Sequence, residues 1–296
     1  MSRLAKDIKQ NISAYLFLLP FTVLFLTFTL APVLISLYYG FTYYNILEPA
    51  KFIGFDNYIK MLTIDSIFPL AMKNTLVLAA VTGPVGYISS FLFAWFINEL
   101  VPKLRAVMVV IFYAPSISGS VYLIWKILFS NDTYGYLNGV LLKLGFISDP
   151  IDWLTNPKYM MMVVIIVSLW MSLGAGFLSF VAGLQNMDRS QYEAGYVDGI
   201  TNRWQELWFI TLPSMRPQLL FGAVMSISSA FSVAGITTAL CGFPSTDYAV
   251  HTLGNHVTDY GGRYEMGYAS ALATLIFLMM IISNKAIQSM LSKVGN

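Results

Sequence analysis

The sequence predicts an all-α, polytopic membrane protein with about six spanning helices, and three observations carry that prediction. Hydrophobic residues make up 57% of the chain, charged residues only 11%, and the mean hydropathy is +0.66, whereas soluble domains carry about 25% charge. Six stretches reach the roughly 20 apolar residues that a helix needs to cross the hydrocarbon core. Between the fourth and fifth of them lies a polar segment holding Asp188, Arg189, Glu193, Asp198, Arg203, Glu206 and Arg216.

The spans are expected near residues 15–39, 74–98, 106–129, 160–184, 218–242 and 266–288. The first follows a basic start, Arg3, Lys6 and Lys9, and is longer than the 7 to 15 residues of a signal-peptide core, so it reads as an uncleaved span. The third is interrupted by Pro115 and Gly119 and the fifth by Ser226, Ser228, Ser229 and Ser232, which makes their limits the least defined. With the amino terminus inside, ten of the 17 basic residues fall on the cytoplasmic side. This modest bias places both termini and the polar segment in the cytoplasm. Residues 40–73, 130–159 and 243–265 then form outer loops holding Tyr134-Gly135-Tyr136, Asp149-Pro150-Ile151-Asp152-Trp153 and Gly242-Phe243-Pro244. Such aromatic clusters serve as interfacial anchors against membrane lipid or as a rim for an external partner. No linker, charge run or internal repeat divides the chain, so one transmembrane domain, 1–296, is expected, with the segment 187–217 as a cytoplasmic loop within it.

Several functions are disfavoured. A net charge of +2, with basic residues spread along the chain, gives no footprint for nucleic acid. The single cysteine, Cys241, reads as a buried thiol. His251 and His256 are five residues apart, off a single helical face and without a neighbouring cysteine, so no metal site is expected. Asp149 and Asp152 sit where turns are the simpler explanation. No Gly-Lys dipeptide occurs, which rules out the phosphate-cradling G-x-x-x-x-G-K-[ST] loop.

The polar loop has its own local logic. Ser190-Gln191-Tyr192-Glu193 fits a capping box, and Gly199 suits a left-handed residue just past a short helix. Pro213 and Pro217 mark entry to the next span. With the amphipathic piece from Trp204 to Phe209, this describes a compact knob able to fill a groove on a soluble partner.

The stretch Glu193-Ala194-Gly195-Tyr196-Val197-Asp198-Gly199-Ile200, closing with Ile210-Thr211-Leu212-Pro213, resembles the EAA loop of the membrane subunits of binding-protein-dependent ABC importers. Leu18-Leu19-Pro20, Ala31-Pro32, Phe41-Thr42-Tyr43-Tyr44-Asn45 and Phe52-Ile53-Gly54-Phe55-Asp56-Asn57-Tyr58 resemble the start of the first of the two paired permeases in the maltose- and glycerol-3-phosphate-type branch. The resemblance implies a bacterial or archaeal cell membrane and a second homologous permease. It also implies an extracellular solute-binding protein and an ATPase homodimer that holds ATP and Mg. No cofactor belongs to this chain on that reading. ATPase coupling would fall to Glu193, Ala194, Gly195, Asp198, Gly199, Leu212 and Pro213. Two departures stand out: Gly195 replaces the second alanine, a loss of about 1 kcal/mol in helix propensity, and Met187-Asp188 stands where isoleucine-proline is common.

A substrate pathway needs polar groups at bilayer depth, where they are costly enough to be informative. Ser229 and Ser232 share a face with Met225, and Trp170-Met171-Ser172-Leu173-Gly174-Ala175-Gly176 places an aromatic beside small residues. Close helix packing is the competing explanation for small residues. The resemblance implies carbohydrate contacts at Met171, Ser172 and Ala175 and at Met225, Ser229 and Ser232; because sugars are held by hydroxyl hydrogen bonds and aromatic stacking, Ser172, Ser229 and Ser232 would be the bonding groups and Trp170 a platform. A permease for glycerol phosphate or a related polyol remains an alternative, as do a secondary transporter and a polytopic membrane enzyme. The near absence of charge within the spans speaks against the secondary transporter.

Overall fold

The structure, a computed structural model, describes residues 11–119 and 121–291. Arg3, Lys6 and Lys9, and Lys293, which is also among the ten basic residues counted on the cytoplasmic side, lie outside the described residues. Four helices are long and apolar enough to cross a membrane: α1 (Ile12–Tyr39), α3 (Phe68–Asn98), the paired helices α7 (Pro157–Met171) and α8 (Ala175–Gln185), and α14 (Met266–Leu291). Two further candidates are bent pairs. They are α4 (Pro102–Ile117) with α5 (Tyr122–Leu128), and α11 (Arg216–Phe231) with α12 (Ala234–Cys241), the latter bent by 42°. These bends fall in the third and fifth spans, where Pro115, Gly119 and the serine run predict interruption.

The chain divides into two compact units. Among the described residues, one comprises 11–64 and 257–275, the other 65–119, 121–256 and 276–291. In the first, α1 is exposed along its apolar length and is followed by the antiparallel pair β1 (Thr42–Tyr43) and β2 (Lys51–Phe52), then by α2 (Asp56–Thr63). Buried Asn57 explains why the Phe52–Tyr58 segment holds its shape, because its Nδ2 donates to the carbonyls of Gly40 at 3.0 Å and Thr42 at 2.9 Å. Phe41, Phe55 and Tyr58 close over that turn. Gly267 has no room for a side chain, since a Cβ there would strike the Thr42 carbonyl.

In the second unit, Asp65 Oδ1 accepts from the amides of Ile67 and Phe68 at 3.0 and 3.1 Å and so caps α3. Asn156 accepts from Lys158 at 3.0 Å, with Pro157 at the first helical position of α7, the pairing that favours a helix start. The second outer loop, which carries α6 (Tyr136–Lys143), is organised by Asn138. Fully buried, it donates to Ser130, Asp132 and Ile151 carbonyls and accepts from Ile151 N and Trp153 Nε1. His251 lies in the loop before α13 (Leu253–Gly262) and His256 on that helix. Because only His256 is helical, their spacing does not part them. Their ring nitrogens approach to 3.1 Å, and His256 Nε2 lies 2.7 Å from Asp65 Oδ2, all three side chains being buried.

Two apolar clusters fill this unit. Leu78, Met160, Val163, Val164, Val167 and Val233 belong to one, and Phe91, Ala94, Leu173, Phe177, Phe180 and Leu219 to the other. Along α3, α7–α8 and α11–α12, each chain passes from one cluster to the other. What lies between them is the polar part of the membrane domain.

Candidate functional site

Between the two clusters is a cavity of about 500 Å³ lined by α3, α4, α5, α7, α8, α11 and α12. Its hydroxyls come from Thr82, Tyr87, Ser90, Tyr113, Ser116, Tyr122, Ser168, Ser172, Ser226, Ser229 and Ser232, with no formal charge among the described lining residues. Helix interruptions surround it. The break between α7 and α8 spans Ser172 to Gly174, α11 ends at Ser232, and α4 ends just past Ser116. An interrupted backbone at membrane depth is tolerated only where protein buries it or water reaches it.

Met171, Ser172, Ala175, Met225, Ser229 and Ser232 all line this cavity. Trp170 does not: it turns to pack edge-on against Trp125, with ring centroids 5.2 Å apart, so it offers the cavity no platform. The packing explanation for small residues holds for part of the set. Gly176 lies against the Gly222 backbone, and a Cβ on Gly86 would sit 3.0 Å from Ser172 Cβ. Ser226 Oγ donates to the Gly83 carbonyl at 2.8 Å and ties the fifth span to the second. Ser229 and Ser232 are exposed to the cavity. Sequence reasoning missed Ser168, a buried serine one turn before Ser172 whose Oγ has no hydrogen-bond partner. Its i, i+4 relation to Ser172 was the available signal.

The loop between the fourth and fifth spans is built from α9 (Arg189–Val197), α10 (Arg203–Glu206), a wide turn over Leu207–Thr211 and the short turn Leu212–Ser214. Its start differs from the predicted capping box. Asp188 is extended and accepts from Ser190 N at 2.9 Å, so Ser190 falls inside the first turn and Glu193 stays exposed on the helix surface. The amide of Ser190 holds the Asp188 carboxyl below its usual range. The end is as predicted. Gly199 has φ +94°, Gly199 N donates to Tyr196 O at 3.2 Å, and Ile200 N donates to Gly195 O at 2.9 Å, the pair of bonds that closes a helix through a left-handed glycine.

Gly195 is buried, and a Cβ there would lie 2.6 Å from Ile210 Cδ1 and 3.1 Å from Ile200 Cδ1. A side chain larger than hydrogen at this position would have to displace the terminal methyls of these isoleucines. Asn202 accepts from Gln205 N at 2.9 Å while Gln205 Oε1 accepts from Thr201 N at 2.9 Å, a reciprocal cap of the second piece. At the centre is Glu206, only 4% exposed, which accepts from Tyr196 Oη and Arg203 Nη1, each at 2.6 Å. Burial works against its charge, but the bonds from Tyr196 and Arg203 and the nearby guanidinium outweigh it and hold the carboxyl below its usual range. The same bond raises the Tyr196 hydroxyl. Neither Tyr196, Arg203 nor Glu206 was singled out from sequence for this role.

The outer surface of the loop is apolar as well as charged. Val197 is 88% exposed, and Tyr196, Trp204, Trp208 and Phe209 are also exposed. Ala194 and Asp198 lie at the surface and Leu212 and Pro213 are half-buried, so the predicted coupling residues gather on one knob. Apolar side chains grouped at an exposed surface and rimmed by polar residues are the composition of an interaction site.

Known proteins share this architecture. The family described as a binding-protein-dependent transport system inner membrane component matches residues 3–293. A probable ABC transporter permease protein, YesP of Bacillus subtilis (strain 168), is 35% identical over 280 residues, covering 92% of this chain and 88% of that one. The lactose transport system permease protein LacF of Rhizobium radiobacter is 32% identical, covering 73% of this chain and 72% of its own. A chain from the crystal structure of a bacterial ABC transporter involved in import of the acidic polysaccharide alginate superposes with a TM-score of 0.77 at 27% identity, covering all of both chains. With that match across nearly its whole length, on a helical multi-pass membrane fold, the chain belongs to the family of binding-protein-dependent transport system inner membrane components.

Proposed function

We infer that this chain is a membrane-spanning, non-catalytic subunit of an ATP-driven importer, passing a sugar or oligosaccharide delivered by an extracellular binding protein. The observation that carries the reading is the hydroxyl-lined, charge-free cavity at the interruptions of three spans. Sugars are held by many weak hydrogen bonds, and lining hydroxyls such as Thr82, Ser90, Ser116, Ser172, Ser226 and Ser232, which donate to backbone carbonyls, keep lone pairs to accept from them. A phosphate group entering such a cavity would lose its hydration without gaining a cation, which favours a saccharide over glycerol phosphate. Relatives are described as permeases for lactose and for arabinooligosaccharides, in keeping with this class.

The exposed knob around Gly199 fits the role of docking element for a separate ATPase present twice, with both termini on the same, cytoplasmic side. A second homologous permease completes the pathway, and a solute-binding protein loads it. One solved relative is an alginate ABC transporter in complex with an alginate pentasaccharide-bound periplasmic protein. The test is affinity purification from native membranes with mass spectrometry of the companions, followed by uptake in proteoliposomes. A second permease, an ATPase and a binding protein are expected to co-purify, and uptake should require ATP inside. Purification of the chain alone, with uptake driven by a proton or sodium gradient, would overturn the reading.

A further inference from the structure

The docking loop is gripped by the second span, about a hundred residues away in sequence. Trp95 and Glu99 stand four residues apart and therefore share one face at the end of α3. Each meets one of two adjacent loop residues. Ring centroids of Trp95 and Trp204 are 5.4 Å apart, and Glu99 Oε2 accepts from Arg203 Nη2 at 3.0 Å. The ion pair alone is exposed and weak, but it does not act alone. Arg203 Nη1 is held by buried Glu206, and Leu207, in the next turn, is buried in the same apolar cluster as Phe91, Ala94 and Ile97 of α3.

α3 runs from Phe68 to Asn98 with Pro84 inside it, and the proline-free stretch between Pro84 and Asn98 lines the cavity with Tyr87 and Ser90. At 1.5 Å per residue, Ser90 is about 14 Å along the axis from Glu99. The two spans covalently joined to the loop are built differently, for both are broken beside the cavity, at Ser172–Gly174 and at Ser232. A displacement entering a broken helix is taken up by bending at the break. A continuous helix packed at both ends delivers it.

We propose that α3 is the rod through which movement of the docking loop reaches the cavity, with Trp95 and Glu99 as the positioning residues that hold Trp204 and Arg203. This rests on the importer reading above and assigns the transmission to a span that neither precedes nor follows the loop.

The test uses the complex purified with its companion subunits, in a Cys241→Ser background carrying Ser229→Cys as a reporter in the cavity wall. A membrane-impermeant maleimide is the probe, and its labelling rate is compared in the nucleotide-free and ATP-vanadate-trapped states. The parent complex is expected to change rate at least fivefold between states. Trp95→Leu with Glu99→Gln should reduce that change to less than twofold while ATP hydrolysis continues, and Trp95→Phe with Glu99→Asp should restore it. A full-sized change in the Trp95→Leu, Glu99→Gln complex would overturn the proposal and leave the importer reading standing. Failure of that variant to assemble would also overturn it, since the contact would then serve assembly. No change in the parent itself would sink the importer reading of the cavity, and this inference with it.

Discussion

Tyr196 Oη donates to Glu206 Oε1 at 2.6 Å, so the last turn of the first loop helix is tied to the end of the second across ten residues of chain. Arg203 closes the same carboxylate from the other side, at 2.6 Å. The knob therefore has a polar interior of its own under an apolar exterior.

Tyr196→Phe should weaken the loop, because it removes one of the two donors that hold the Glu206 carboxylate. Glu206→Ala should cost more, because it leaves Tyr196 and Arg203 without their acceptor. Protection of the loop from limited proteolysis in the purified complex measures both. The Glu206 carboxyl is held below its ordinary value of 4.5, so its contribution is fully present above that value and is lost as pH falls through the lower folded value. Loop protection should accordingly be flat around neutrality and fall only in acid, and the acid loss should be absent in Glu206→Gln.

At Gly195 two opposing effects can be separated. Alanine gains about 1 kcal/mol of helix propensity but meets Ile210 Cδ1 at 2.6 Å, and overpacking of this kind costs about 1 to 3 kcal/mol. A net destabilisation of about 1 kcal/mol is expected for Gly195→Ala. Adding Ile210→Val, which removes the offending methyl, should return thermal stability of the complex to the parent value or above.

In the cavity, bulk is a better probe than deletion of one hydroxyl, which removes about 1 kcal/mol of net bonding. Ser229→Trp should obstruct the 500 Å³ space and reduce uptake at least tenfold, with the complex assembled and ATP hydrolysis retained. Uptake and yield of intact complex are measured together: undiminished uptake refutes a pathway role, and loss of the complex assigns Ser229 to packing.

Asp65 does two tasks, capping α3 through Oδ1 and meeting His256 through Oδ2. Asp65→Ala removes a cap, about 1 kcal/mol, and also the partner of a buried imidazole, about 1 to 3 kcal/mol. A total near 3 kcal/mol is expected in thermal unfolding of the detergent-solubilised protein. Asp65→Asn, which keeps a capping oxygen, should cost less than half as much.

The spans were legible because apolar length is a one-dimensional property, and Pro115 and the serine run marked the two spans that bend. The left-handed Gly199 was legible because only a short-range backbone requirement is involved. Ser190 was read as the cap because it stands three residues before Glu193, yet Asp188 reaches the same amides from an extended conformation. Local rules do not rank two adjacent capping side chains. Trp170 was assigned to the cavity by sequence neighbourhood, and the partner that turned it away, Trp125, is 45 residues earlier. His251, His256 and Asp65 form their array through a loop, a helix and a helix start, so no spacing rule could assemble them. Glu99 and Arg203 are likewise joined only by the fold.

The interruptions around the cavity have an evolutionary consequence. Where helices stop, main-chain groups give up regular helical pairing, and the polarity they leave in the wall belongs to the backbone and survives replacement of any neighbouring side chain. Ser229, Ala175 or Met225 can therefore be exchanged for residues of other modest shapes without making the cavity wholly apolar. On the importer reading, selectivity in such a wall would drift by altering contour, which would let one scaffold serve successive cargoes of similar girth.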